Sequence, residues 1–204
     1  GGEVPHDVDV VLEEAEVDSR RVEVEKVAQH LVEEQYNLED ALVVAGFLNS
    51  FIRHADVVKI ANLAQIVNVI APIHTRGDEL LLHTIYYPFV MYAARRDGVA
   101  LQPVVKGPVY TSRSYGDVNT VDASAILGDD VLHVFLVNRS LGEVAPVTID
   151  LAGVPLASLA SAELVTGAKA EDRNTYEQPG NVRSQPFNAV SVQNGEAGVE
   201  LPPL

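Results

Sequence analysis

The sequence predicts a mixed fold: one or two α/β units followed by an all-β sandwich or barrel domain. Three observations carry this. Residues 37–61 run from a helical pattern into a short β-branched stretch, which is the rhythm of an α/β unit. From about Gly98 onward, short β-rich runs follow one another with turn residues between them and no helical period. The composition is globular: of 204 residues, 47% are hydrophobic and 21% charged. That is enough apolar content to bury a core and too much for a disordered chain.

The elements follow in order. In residues 11–35, Val24, Val27 and Leu31 fall near helical spacing, and the acid-rich start suits a helix N-terminus. A solvated helix or a surface insertion is expected there. Residues 37–53 (NLEDALVVAGFLNSFIR) make a stronger helix. Asn37 can cap it and Asp40 sits three positions on. Leu38, Ala41, Leu42, Ala45, Leu48 and Ile52 keep helical spacing, while Arg53 and His54 lie where the helix dipole favours cations. The wide apolar coverage predicts a well-buried helix.

The run VVKIA, residues 57–61, is apolar on both faces and reads as a strand buried in a parallel sheet. Asn62, Gln65 and Asn68 follow its end, the place where α/β folds bind ligands. A lone parallel strand needs partners, and no repeat in this sequence supplies them. Residues 78–95 read as a second helix, with Pro88 in its first turn or at a kink.

After Gly98 come VALQPVV, VYTSRSY, VDASAIL, VLHVFLVNRS, VAPVTIDL, ASAELVTG, AVSVQN and AGVELPPL. Several alternate with period two, notably Val131, His133, Phe135 and Val137 against Leu132, Val134 and Leu136. The domains divide accordingly into residues 1–97 and 98–204.

Charge narrows the partners. The net charge is −15, with thirteen acids against three bases in residues 1–40 alone. Nucleic acid and anionic membrane surfaces are repelled by such a chain. No stretch reaches the length of a membrane span. The start, GGEVPHD, is neither a signal peptide nor an initiator Met, which suggests a processed product or an internal cut. There is no cysteine, hence no disulfide, thiol nucleophile or Cys-ligated metal.

Few side chains make a chemical pattern. His6, His30, His54, His74, His83 and His133 have no metal spacing, so no metal site is expected from them. His54 and Asp56 suit a surface pair. Glu33, Glu34, Glu39 and Asp40 are acids of a charged stretch; Glu39 and Asp40 are adjacent on a helix and cannot flank one bond. Tyr86, Tyr87, Phe89 and Tyr92 cluster at helical spacing and read as packing rather than a sugar platform. Asn138-Arg139-Ser140 fits a glycosylation acceptor but reads better as a strand end at an interface.

The segment YNLEDALVVAGFLNSFIRHADVVKIANLAQIVNVIAPI resembles the last part of the catalytic barrel of α-L-arabinofuranosidases of glycoside hydrolase family 51. YYPFVMYAARRDGVALQPVV resembles the final barrel helix and its exit. VDASAILGDDVLHVFLVNRS, VRSQPF and GVELPPL resemble the C-terminal β-sandwich of those enzymes. The likeness covers roughly residues 35–204; residues 1–34 depart from the family.

The resemblance implies the last α/β unit or units of a (β/α)8 TIM barrel, followed by an all-β, jelly-roll-like sandwich. It implies retaining hydrolysis of terminal α-L-arabinofuranosides, which requires two carboxylates about 5 Å apart. The family carries its acid/base in an Asn-Glu pair and its nucleophile in a segment containing Trp. This sequence has no Trp and no Asn-Glu pair, so both catalytic glutamates are expected upstream of Gly1 and no catalytic residue is assigned here. Gln65 in ANLAQIVN matches a glutamine lining the arabinose subsite and is the one substrate-binding residue expected. Asn62 and Asn68 are read as satisfying backbone at a turn.

The expected partner is an arabinose-containing oligo- or polysaccharide. The unpaired strand and open edges imply a homo-oligomer, and the missing signal implies a cytoplasmic parent. The alternative is a non-catalytic β-sandwich that binds carbohydrate or mediates oligomerisation. Its aromatic candidates after residue 100 are Tyr110, Tyr115, Phe135, Tyr176 and Phe187.

Overall fold

A computed structural model describes residues 33–204. The expected helix within residues 11–35 lies almost wholly outside them. Residues 34–204 form one compact unit, mostly β-sheet with two helices.

Helix α1 (Leu38–Arg53) begins as its sequence dictates. The Asn37 side chain accepts from the Asp40 backbone N–H, and the Asp40 carboxylate accepts from the Asn37 N–H. This capping box satisfies two otherwise orphaned donors. His54 closes the helix, and its Nδ1 donates to the Ser50 carbonyl at 2.8 Å rather than pairing with Asp56.

Only one face of α1 is buried, through Leu38, Ala41, Ala45 and Asn49. Val43, Phe47 and Phe51 are exposed on another face, so the expectation of a well-buried helix is corrected. The i, i+4, i+8 spacing places those three side chains in a single apolar stripe.

The expected strand at residues 57–61 is also corrected. No strand forms between α1 and Ile73, and Val57 and Ile60 are 71% and 78% exposed. β-branched residues fit a pleated sheet, but a parallel strand exists only through its neighbours' hydrogen bonds. The described residues offer it none.

A hairpin follows, β1 (Ile73–Arg76) against β2 (Glu79–Leu82), antiparallel with Thr75 opposite Leu80. Gly77 makes the turn at φ +60°, where a side chain is disfavoured. The helix expected over residues 78–95 therefore shrinks to α2 (Tyr86–Ala93). Pro88 occupies its first turn, where the missing N–H costs nothing.

After α2 the chain runs through β3 (Val99–Leu101), β4 (Val109–Ser112), β5 (Gly116–Asn119), β6 (Val121–Leu127), β7 (Leu132–Asn138), β8 (Ala145–Ile149), β9 (Glu163–Leu164), β10 (Gln185–Pro186), β11 (Val190–Gln193) and β12 (Glu196–Leu201). β3-β6-β7 and β11-β12-β8 are antiparallel three-stranded sheets, and β4-β5 and β10-β9 are two-stranded ribbons. Gly98 has φ +139°, and an added Cβ would press on the Leu127 carbonyl. Glycine is needed there for β3 to pair with β6.

Both three-stranded sheets line one apolar cavity of about 750 Å³, bounded by Leu42 and Ala45 of α1, Phe135 and Val137 of β7, and Val199 and Leu201 of β12.

Candidate functional site

The loop between α1 and β1 carries the polar residues expected near a ligand. Gln65 is exposed and has φ +58°; Asn68 and Val69 are also left-handed, at +62° and +60°. Gln65 Oε1 accepts from the Ile70 N–H at 3.4 Å. Its carboxamide NH2 makes no hydrogen bond among the described residues, which leaves two donors on an exposed side chain. Asn62 is exposed. Asn68 accepts from the Thr75 N–H at 2.8 Å, as expected for a side chain satisfying backbone.

Tyr36 buttresses this loop from the start of α1. Its hydroxyl donates to the Ile70 carbonyl at 2.7 Å. Burial first, then the Glu34 and Asp40 carboxylates, push its pKa up, so it remains a hydrogen-bond donor. Behind it, Tyr36 meets His83 edge-on at 5.7 Å, and His83 meets His74 edge-on at 4.3 Å. Both ring nitrogens of His83 and Nε2 of His74 are buried without a hydrogen-bond partner. Burial, with the neighbouring His74 second, lowers the His83 pKa to about 4.

Among the described residues the most buried acid is Asp122, in β6. It bonds Arg53 at 3.1 Å and Arg139 at 3.3 Å and accepts from Asn49 Nδ2 at 2.9 Å. Asn49 Oδ1 accepts in turn from Ser124 at 2.6 Å and Tyr92 at 2.8 Å. Sequence reasoning missed this network. Its signals were an Asn inside the apolar helix LNSFIR and an Asp on a strand that otherwise reads as core.

The remaining candidates are structural. Tyr92 stacks on Phe135 at 4.1 Å between ring centroids, so the aromatic cluster does pack. The Nδ2 of Asn138 is buried on the carbonyls of Glu143, Leu201 and Pro202 and closes the end of β7. Of the five aromatic residues after residue 100, Tyr110 and Tyr115 are exposed, whereas Phe135 is buried. No group of three His, Asp or Glu side chains that could hold a metal occurs among the described residues. None of their helices is long and apolar enough to cross a membrane.

Comparison with known proteins decides the family. The family model for the α-L-arabinofuranosidase C-terminal domain matches residues 10–204. This chain belongs to that family. An intracellular exo-α-(1→5)-L-arabinofuranosidase of Streptomyces lividans is 34% identical over 179 residues, 87% of this chain and 27% of the relative. The Bacillus subtilis enzyme of the same description is 40% identical over 124 residues, 59% of this chain and 25% of its own length.

A solved family 51 α-L-arabinofuranosidase from Bifidobacterium longum superposes with a TM-score of 0.78 at 33% identity, covering 85% of this chain and 35% of that one. The family 51 enzyme of Xanthomonas axonopodis gives 0.77 at 32%, covering 84% and 35%. This arabinofuranosidase C-terminal chain thus spans about a quarter to a third of the length of the relatives it matches.

Proposed function

We propose that this chain is the C-terminal part of a retaining α-L-arabinofuranosidase. The whole protein would hydrolyse terminal non-reducing α-L-arabinofuranosyl residues of arabinan, arabinoxylan and their oligosaccharides. The family match over nearly the whole chain carries this reading. Double displacement needs only two carboxylates and water, and no metal or organic cofactor enters. Both glutamates are read as absent from this chain, which has no Trp and no Asn-Glu pair.

Residues up to 97 are read as the acidic N-terminal stretch and the end of a (β/α)8 barrel, and residues 98–204 as the β-sandwich. The exposed β-branched run at residues 57–61 supports the first assignment, because its missing partners would be the preceding barrel strands. Gln65 is read as the substrate-binding residue. Its NH2 can donate to a sugar oxygen or to a catalytic carboxylate. The intracellular description of several relatives supports a cytoplasmic parent, and the exposed apolar stripe on α1 supports burial against further barrel elements or a second copy.

The test is hydrolysis of 4-nitrophenyl α-L-arabinofuranoside by the full-length protein that carries this chain. Gln65→Ala should lower kcat/KM at least tenfold, as expected for losing a hydrogen bond to a charged or strongly polarised group, about 1.5–3 kcal/mol. Full activity in Gln65→Ala, or none in the unaltered protein, would count against the reading.

A further inference from the structure

Gln65, Asn68 and Val69 place three non-glycine residues in the left-handed region within five positions. For Asn this is tolerated; for a β-branched Val it is a true outlier. Such a backbone persists only where its surroundings over-determine it. The structure shows what does so. Asn68 Oδ1 accepts from the Thr75 N–H at 2.8 Å, and Asn68 Nδ2 donates to Thr75 Oγ1 at 3.2 Å. The Asn68 N–H donates to the Ile73 carbonyl at 2.8 Å, and Val67 bridges Ile73 in parallel. Every one of these bonds ties the loop to β1, which is itself held in register by β2.

The same turn sets the Gln65 side chain. Val69, one residue after Asn68, leads directly into Ile70, whose N–H holds Gln65 Oε1. The Ile70 carbonyl is fixed by Tyr36 and the Val69 carbonyl by the Glu34 N–H. The peptide that orients the Gln65 carboxamide is therefore pinned at both ends, and Asn68 is the side chain that joins it to the hairpin.

We propose that Asn68 is a positioning residue for the arabinofuranosidase reaction: its bidentate grip on Thr75 holds the left-handed turn that presents the Gln65 amide to the sugar. This rests on the reading of Gln65 given above. Asn68 itself touches no substrate; it acts through the turn, and Thr75 is its partner in that role.

The experiment uses the full-length protein with 4-nitrophenyl α-L-arabinofuranoside. Asn68→Ala should lower kcat/KM at least tenfold at temperatures where circular dichroism shows the fold intact. In a Gln65→Ala background the same change should have less than a threefold further effect, because both substitutions remove one interaction. Asn68→Asp keeps the acceptor for the Thr75 N–H and should recover most of the activity, which a general loss of packing would not do. Thr75→Val keeps that N–H and loses only the hydroxyl, so it should fall between. It also supplies the test should Asn68→Ala fail to fold.

Defective Gln65→Ala with fully active Asn68→Ala, or fully additive effects, would overturn the proposal alone. Full activity in Gln65→Ala would overturn the reading of Gln65 and the proposal with it.

Discussion

Asp122→Ala is the sharpest perturbation of this fold. The side chain is 11% exposed and joins α1 to the central strand of the β3-β6-β7 sheet. Its loss strands Arg53, Arg139 and the fully buried Asn49 amide at once. Breaking a buried pair by removing one partner costs about 3–5 kcal/mol, because a charge is left uncompensated. Here the two arginine side chains keep 25% and 30% exposure, so solvent screens part of that cost. The unpaired Asn49 amide adds its own desolvation penalty, about 1–3 kcal/mol. A total of about 2–4 kcal/mol is expected.

The assay is urea unfolding followed by far-ultraviolet circular dichroism. With a slope of about 2 kcal/mol per molar, the midpoint should fall by about 1–2 M. Asp122→Asn keeps the shape and one acceptor and should cost about half as much. Adding Arg53→Met to Asp122→Ala should cost less than the sum of the two single changes. A midpoint shift under about 0.3 M for Asp122→Ala would refute the reasoning.

Two other outcomes are expected. His83 is 2% exposed and titrates near 4 when folded but near 6.5 when unfolded. The unfolded chain therefore takes up the proton first, and stability present above pH 6.5 is lost as pH falls toward 4, by up to about 3 kcal/mol. His83→Gln should flatten that window in thermal melts at a series of pH values; an unchanged slope would show that His83 is not its source. Separately, the isolated chain should self-associate through Val43, Phe47 and Phe51, since exposed apolar patches of this kind mark contact surfaces. Light scattering should show oligomers that Phe47→Lys reduces, whereas a sharp monomer peak for the unaltered chain would contradict this.

What the sequence made legible was local. The Asn37–Asp40 box and the period-two strands depend on residues close in sequence, whose chemistry is the same in any context. What it hid was tertiary. The β-branched run at residues 57–61 is written like a strand but becomes one only beside other strands. The wide apolar coverage of α1 cannot say which stripe this chain covers and which it leaves open. Asn49 and Asp122 lie 73 positions apart, so neither signals the other. Gln65 is singled out by resemblance alone, while the turn that holds it, with Val69 in a conformation its side chain disfavours, has no sequence signature.

We propose that this chain positions sugar and that cleavage needs the rest of the protein. The direct measurement is release of arabinose from 4-nitrophenyl α-L-arabinofuranoside by the 204-residue chain alone, beside the full-length protein at equal molarity. Turnover is expected from the full-length protein and none above background from the chain alone, because a positioning amide cannot replace a nucleophile and an acid. Turnover by the chain alone at a comparable rate would contradict it and place the catalytic carboxylates within these residues.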